Sequence, residues 1–318
     1  MINAYCLGAN NVDIYRHIER VFAGGIPFNV AVNIVRTGNK ASVATVVGND
    51  ELGKLQIDSC AANGVDASHI QVRDGQTGWC WIKVKDGDRV FGVSGGTIRD
   101  INTVDADMTR PGLTGEYDLI YINAEAEYTD EALQLMKEGN VPIVRDFTNY
   151  WVPEDLEKFA GIVDYYYMSF DGHDEDVQET LKTCVHKYGA KMAVGTMGMD
   201  GSWLYNGRKF YRQEAFAIKP VDTLGAGDTF LSTFTSLYFN GRKLLTNYEN
   251  ITGWGDDNEH VQECEDKLIA HALSYAAMGG AYACMSEGCY GFSMPYDHSL
   301  ISRSNIDIEK AVEYFDAL

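Results

Sequence analysis

From Asp118 onward the chain alternates between two kinds of segment. Runs at 119–123, 142–147, 164–169 and 191–196 read as strands, and residues 129–138, 154–160 and 174–187 read as helices. Few folds accept that alternation. It places the chain in the α/β class, with a parallel sheet covered by helices on both faces. In an open parallel sheet, ligands bind beyond the carboxyl ends of the strands. Asp13, Asp146, Ser169, Gly198 and Asp228 all read as lying at or just past such ends. Asp146 reads equally well as a turn former.

The first strand, near residues 2–7, ends in Gly8-Ala9-Asn10, with Asp13 expected just beyond it. A short strand follows at 19–22. Gly24-Gly25 then opens a helix, with Pro27 in its first turn and Gly38 as its stop. Residues 41–48 read as a buried strand and 51–63 as a helix closed by Gly64. Residues 77–93 differ: two strand-like runs flank Asp86-Gly87, a hairpin signal. With the strands near 12–22 they would form a small β-layer outside the main sheet. Trp79 and Trp81 on that layer then need a cover, from a ligand, the main domain or a second subunit. A second hairpin is expected at 202–205 and 209–212, around Asn206-Gly207. Residues 247–265 read as an acidic surface loop, 267–282 as an apolar helix and 306–318 as a tail helix. The 318 residues show no repeat or low-complexity linker, and 1–318 is read as one domain.

A formal charge of -20 repels phosphate backbones and anionic membranes, so neither a nucleic acid nor a membrane is an expected partner. An anionic ligand would need a local positive field. The seven cysteines form no Cys-x-x-Cys pair; they are expected to be reduced, small core residues of a cytoplasmic protein. No signal peptide is read at the N-terminus, and no clustered His/Cys pattern suggests a transition metal.

The richest stretch is 221–230, Val-Asp-Thr-Leu-Gly-Ala-Gly-Asp-Thr-Phe. Asp222 and Asp228 bracket a Gly-Ala-Gly turn, and Phe230, Phe234 and Leu237 mark the helix that follows. Unpaired N–H groups at a helix start form an anion site. A carboxylate at its lip can take a proton from a hydroxyl while the amides hold a phosphoryl group. The plainer reading is a glycine turn that lets a helix pack on a sheet.

Asp222-Thr223-Leu224-Gly225-Ala226-Gly227-Asp228 resembles the C-terminal signature of the ribokinase/PfkB carbohydrate kinases. Gly24-Gly25-x-x-x-Asn29-x-Ala31 resembles their N-terminal signature, Thr77-Gly78 with Asp86-Gly87-x-Arg89 their lid hairpin, and Thr196-x-Gly198-x-x-Gly201 their nucleotide loop. The order matches from about residue 4 to 290. Val12-Asp13-Ile14-Tyr15, Phe22-Ala23-Gly24-Gly25, Asp88 to Gly92 and Phe210 to Gln213 most resemble the fructoselysine kinase branch.

The resemblance implies a Rossmann-like three-layer α/β/α domain of ribokinase type with a small β-sheet lid, built from about 10–23 and 77–97. It implies transfer of the ATP γ-phosphoryl group, with Mg²⁺, to a sugar hydroxyl. Asp228 matches the catalytic base, and the amides of Gly225, Ala226 and Gly227 the anion hole. Asp13, Gly24, Gly25, Asn29 and Arg89 match substrate contacts; Thr196, Gly198, Gly201 and Thr223 match nucleotide contacts. Asp222, Leu224, Ala283 and Gly288 match a monovalent-cation site for K⁺. The family's Asn-x-x-Glu motif is absent after Ser169, where the chain reads Phe170-Asp171-Gly172-His173-Asp174-Glu175.

The acceptor implied is fructoselysine or a related glycated amine, phosphorylated at its 6-hydroxyl. Fructose, ribose or a nucleoside stays open, as does a non-catalytic sugar-binding protein on the same fold. Each residue keeps a plainer reading: Asp228 a helix-start acid, Asp13 a loop acid, Asn29 a helix-surface amide, Arg89 a solvated cation. Lid strands of two subunits covering each other would make a homodimer.

Overall fold

The computed structural model describes residues 1–97, 103–171, 174–256 and 258–302, together with 307, 310, 312 and 315. The chain opens with β1 (Asn3–Leu7), β2 (Val12–Tyr15), β3 (Arg20–Phe22), α1 (Ile26–Arg36), β4 (Lys40–Gly48), α2 (Glu51–Asn63) and β5 (Asp66–Arg73). The hairpin β6 (Trp79–Lys85) and β7 (Asp88–Gly95) follows, then β8 (Thr103–Val104), α3 (Ala106–Thr109), β9 (Leu119–Asn123), β10 (Glu127–Tyr128) and α4 (Asp130–Glu138). The next elements are β11 (Ile143–Asp146), α5 (Pro153–Lys158), β12 (Tyr165–Ser169), α6 (Asp174–His186) and β13 (Met192–Thr196). The last are β14 (Ser202–Tyr205), β15 (Phe210–Gln213), α7 (Ala226–Thr252), α8 (Glu259–Ala283) and β16 (Ser293–Pro295).

Nine strands form the main sheet in the order β15-β14-β13-β12-β11-β9-β1-β4-β5. The pairs from β13 to β5 are parallel; β14 and β15 close one edge antiparallel. Alternate strand residues serve two cores. Ala4, Cys6, Leu119, Tyr121, Tyr165 and Val194 pack with α1, α2, α7 and α8. Tyr5, Leu7, Ile120, Ile122, Tyr166 and Ala193 pack with residues of α3 to α6. A strand buried on both faces needs apolar residues of both parities, which is why these segments read as unbroken runs. The α/β/α expectation is met.

Ends are set locally. Asp50 and Thr129 cap α2 and α4 by accepting from Gly53 N and Ala132 N, and Gly64 closes α2 in the left-handed region. The strand β5 was not foreseen, and residues 247–265 are not a loop. Gly253 closes α7 and Asn258 caps α8 through His260 N and Val261 N, so only the short connection 253–258 interrupts two long helices. Leu245, Val261 and Ile269 supply buried faces at helical spacing, and the acids lie mostly on the outer side. The tail helix expected at 306–318 lies largely outside the described residues.

The lid is a five-stranded sheet, β16-β3-β2-β6-β7. Asp13 sits inside lid strand β2, opposite Phe22, and not just past β1 as the sequence order suggested. Trp79 and Trp81 are fully buried, and the chain covers them itself. Phe315 lies 5.6 Å from the Trp81 ring and against Gly92, and the Arg16 guanidinium lies 4.8 Å from Trp81. β16 extends the sheet by pairing with β3, and Tyr296 N donates to Glu19 O at 2.9 Å. The C-terminal segment therefore does work that the sequence reading had offered to a ligand, the main domain or a second subunit. Phe315→Ala is expected to lower stability by about 3–5 kcal/mol and to open Trp81 to acrylamide quenching. Unchanged quenching would show that the ring is not the cover.

Candidate active site

Asp228 occupies the first turn of α7, which begins at Gly225 in the left-handed region (φ 77, ψ 5). Four N–H groups at a helix start lack helical partners. Ala226 N here donates to Thr223 O at 3.3 Å, which closes the turn. Among the described residues Gly225 N and Gly227 N meet no acceptor, and a Cβ added at Gly227 would point into open space. Two of the three expected anion-hole amides are thus open, and Ala226 is engaged in the turn.

The Asp228 carboxylate is 9% exposed and accepts from Asn29 Nδ2 at 2.7 Å. Asn29 lies in the first turn of α1, the helix opened by Gly24-Gly25, so the two signature turns face each other. Burial pushes Asp228 up to about 6; the Asn29 hydrogen bond and the Arg89 charge pull the other way. A helix start favours the ionised carboxylate, but desolvation outweighs it here. A pKa near 6 suits a base that works near neutrality.

Asp13 is 6% exposed and, among the described residues, receives no hydrogen bond. A Cβ at Gly24 would lie 2.1 Å from Asp13 Oδ2, so only glycine admits the carboxylate there. Its pKa is raised well above the usual range by burial, then by Glu125, Asp222 and Asp228. Asn29 Oδ1 is likewise buried without a partner. Buried polar atoms left open beside a carboxylate are what a polyhydroxy ligand would satisfy.

Asp146, at the end of β11, accepts from Thr148 N at 2.7 Å and is pushed up to about 7, first by burial and then by Asp228. For Asp146 and Asp228 the folded-state pKa exceeds the unfolded one. The folded chain therefore binds these protons more tightly, and the two groups destabilise it progressively as pH rises from about 4 through about 7. Asp146→Asn keeps the acceptor for Thr148 and removes the charge. It is expected to raise Tm at pH 8 but not at pH 4. A Tm unchanged at pH 8 would contradict the raised pKa.

Asp222 has a different task. Fully buried, it accepts from Leu224 N at 2.9 Å, Gly288 N at 3.1 Å and Tyr15 Oη at 2.5 Å. It staples the 221–225 turn to the loop after α8 and to the lid. Sequence reasoning missed Tyr15; it lies two residues beyond Asp13 on β2, with nothing local to mark it. Of the other expected cation ligands, Ala283 ends α8, and Cys284 O accepts from Val221 N at 2.8 Å. Asp222 thus ties Leu224 and Gly288 together, two of the residues expected around K⁺.

Arg89 is at the lid hairpin and reaches the same turn. Arg89 N and Nη1 donate to Thr223 Oγ1 at 3.1 and 3.2 Å, and Thr223 Oγ1 donates to Asp88 at 2.5 Å. The Thr223 hydroxyl, expected at the nucleotide, is thus held by the lid. Thr196 and Ser169 end neighbouring strands, with their hydroxyls 3.1 Å apart. Gly198 and Gly201 form the turn after β13, where Met197 N donates to Gly201 O at 2.8 Å.

The model of the "pfkB family carbohydrate kinase" matches residues 3–246. The chain belongs to the pfkB family of carbohydrate kinases. It is an enzyme, a phosphotransferase. Fructoselysine 6-kinase of Escherichia coli is 31% identical over 72% of this chain and 86% of its own length. Fructosamine kinase FrlD of Bacillus subtilis is 28% identical over 91% and 93%. Among solved structures, ribokinase from Giardia lamblia superposes over both entire chains with a TM-score of 0.72 at 14% identity. A fructokinase from Xylella fastidiosa with bound ATP gives 0.67 at 16%, over 94% and 97%. These neighbours bear out the ribokinase-type fold. Among the described residues, no helix is long and apolar enough to cross a membrane.

Proposed function

We propose that this pfkB kinase transfers the ATP γ-phosphoryl group to a hydroxyl of a glycated amine, with the 6-hydroxyl of fructoselysine as the leading acceptor. The observation that carries the phosphotransfer reading is the Asp228 carboxylate, held by Asn29 at the mouth of a turn with two open amides. Asp13 and the buried, unpartnered Asn29 Oδ1 are the acceptors proposed for sugar hydroxyls, with Gly24 and Gly25 beside them. Asp228 accepts the proton of the attacking hydroxyl. Gly225 N–H and Gly227 N–H stabilise the negative charge on the transferred group. The lid, latched to Thr223 through Asp88 and Arg89, excludes water that would compete as acceptor.

Thr196, Gly198 and Gly201 are the residues proposed to hold the nucleotide. Mg²⁺ bound with ATP would supply charge compensation on the phosphates. Among the described residues no three His, Cys, Asp or Glu side chains form a metal cage. A Mg²⁺ held mainly by phosphate and water, with one carboxylate such as Asp146, fits that donor set.

A glycated amine is favoured over a neutral sugar because burial and mutual repulsion hold Asp13 and Asp146 toward their neutral forms, and an ammonium group beside them would favour the ionised ones. The two relatives named for fructoselysine and fructosamine agree with it. The test is ADP release on a panel of fructoselysine, fructose, ribose and adenosine. Preference for ribose or adenosine would overturn the acceptor, and no ADP release with any sugar would favour a binding protein on the same fold.

A further inference from the structure

A buried polar side chain beside the site has no task in the mechanism above. Asn33 is 7% exposed, in the middle of α1, one turn beyond Asn29. Asparagine is a poor residue for a helix interior and is costly to bury unless its amide is satisfied. Here Asn33 Nδ2 lies 2.9 Å from Asn29 O, 3.1 Å from Thr229 Oγ1 and 3.6 Å from Cys289 Sγ. Each acceptor is adjacent to a working part. Asn29 carries the side chain that binds Asp228. Thr229 follows Asp228 in the chain, and its hydroxyl donates to Gly225 O at 2.9 Å. Cys289 Sγ lies 3.8 Å from the same carbonyl oxygen.

We propose that Asn33 is a positioning residue: its amide fixes Asn29 on α1 against Thr229 on α7, and so keeps the base Asp228 and the Gly225 turn in one register. The inference rests on the kinase reading for its consequence, but its geometry does not depend on the acceptor. The Asn33 NH₂ group is the polar tie between the Asn29–Asp228 hydrogen bond and the Thr37–Ser236 hydrogen bond, which also join the two helices. Without it the Asn29–Asp228 hydrogen bond would remain sterically possible but would no longer be held in place. That loss is felt at the proton transfer, not at the nucleotide.

The test combines kinetics with a readout that needs no turnover. Asn33→Ala is expected to lower kcat by roughly tenfold, the net worth of one hydrogen bond, with KM for ATP unchanged. In the double variant with Asn29→Ala, turnover should be no lower than in Asn29→Ala alone, because both act through the same bond. Multiplying effects would overturn the proposal. Thr229→Val should reproduce the loss and Thr229→Ser should not; equal behaviour of the two would also overturn it, and this pair covers the case in which Asn33→Ala does not fold.

Independently, ¹³C NMR of the Asp228 carboxyl in the ligand-free protein should show a higher pKa in Asn33→Ala, since the Asn29 bond favours the ionised form. The other groups acting on or facing Asp228 stay constant in that comparison: Asp13 from β2, Arg89 from β7, Tyr121 from β9, Asp146 from β11, and Cys289. An identical titration would overturn the proposal. Failure of the wild-type chain to phosphorylate any sugar would sink the kinase reading and leave the NMR comparison valid.

Discussion

Asp228→Asn is expected to lower kcat by about 10³-fold, in the middle of the range a positioned general base contributes. The substitution is close to isosteric. An Asn side-chain carbonyl can still accept from Asn29 Nδ2, so the contact between α1 and α7 survives. Binding of ATP and sugar, measured by calorimetry, should therefore be retained while ADP release collapses. The pH profile gives a second, independent reading. In the wild type, kcat/KM should fall about tenfold per unit below pH 6, as the base takes up the proton that its raised pKa retains. The residual rate of Asp228→Asn should lack that limb. Asp146→Asn separates the two raised carboxylates: if Asp228 is the base, the limb near 6 persists when Asp146 is gone. Near-normal turnover in Asp228→Asn would remove Asp228 from the chemistry.

What the sequence revealed of this site followed from how local each signal was. The turn at 225–227 and the Gly24-Gly25 turn are local motifs, and both were legible. So were the strands, because burial on two faces leaves a continuous apolar run that helices interrupt. Pairing across distance was not legible. The partners of Asp222 lie at Tyr15, Leu224 and Gly288, and only Leu224 is near in sequence. Asn33 offered one weak sign, a polar residue four positions from Asn29 on an otherwise apolar helix.

The acidic 247–265 segment reads as a loop only on its charge. Its helix caps and its buried Val261 carry the structural information. The cover over Trp81 was invisible for a similar reason. Ser293–Pro295 is too short to show alternation, and its role exists only once β3 is in place. Of the seven cysteines, expected in the core, six are buried, and Cys264 is partly exposed.

Gly225→Ala is expected to cost at least 10²-fold in turnover, since removing a single oxyanion-type donor costs 10²–10³. Two separate effects act there. The residue sits at φ 77, where an L side chain costs about 1–2 kcal/mol. The added Cβ would also lie 2.3 Å from Cys289 Sγ and 2.4 Å from its Cβ. Cys289 has little room to retreat: it is buried, with Asn33 Nδ2 at 3.6 Å and Thr229 Oγ1 at 3.9 Å. The turn must move instead, and that re-aims the Gly225 and Gly227 amides away from the transferred group. Combining Gly225→Ala with Cys289→Gly removes the two closest contacts and leaves the backbone cost. A full cycle is needed, because Cys289→Gly alone leaves a void. Partial recovery of both Tm and kcat in the double variant is the expected result. No recovery would assign the whole effect to the backbone angle. Wild-type turnover in Gly225→Ala would mean that this turn does not hold the phosphoryl group at all.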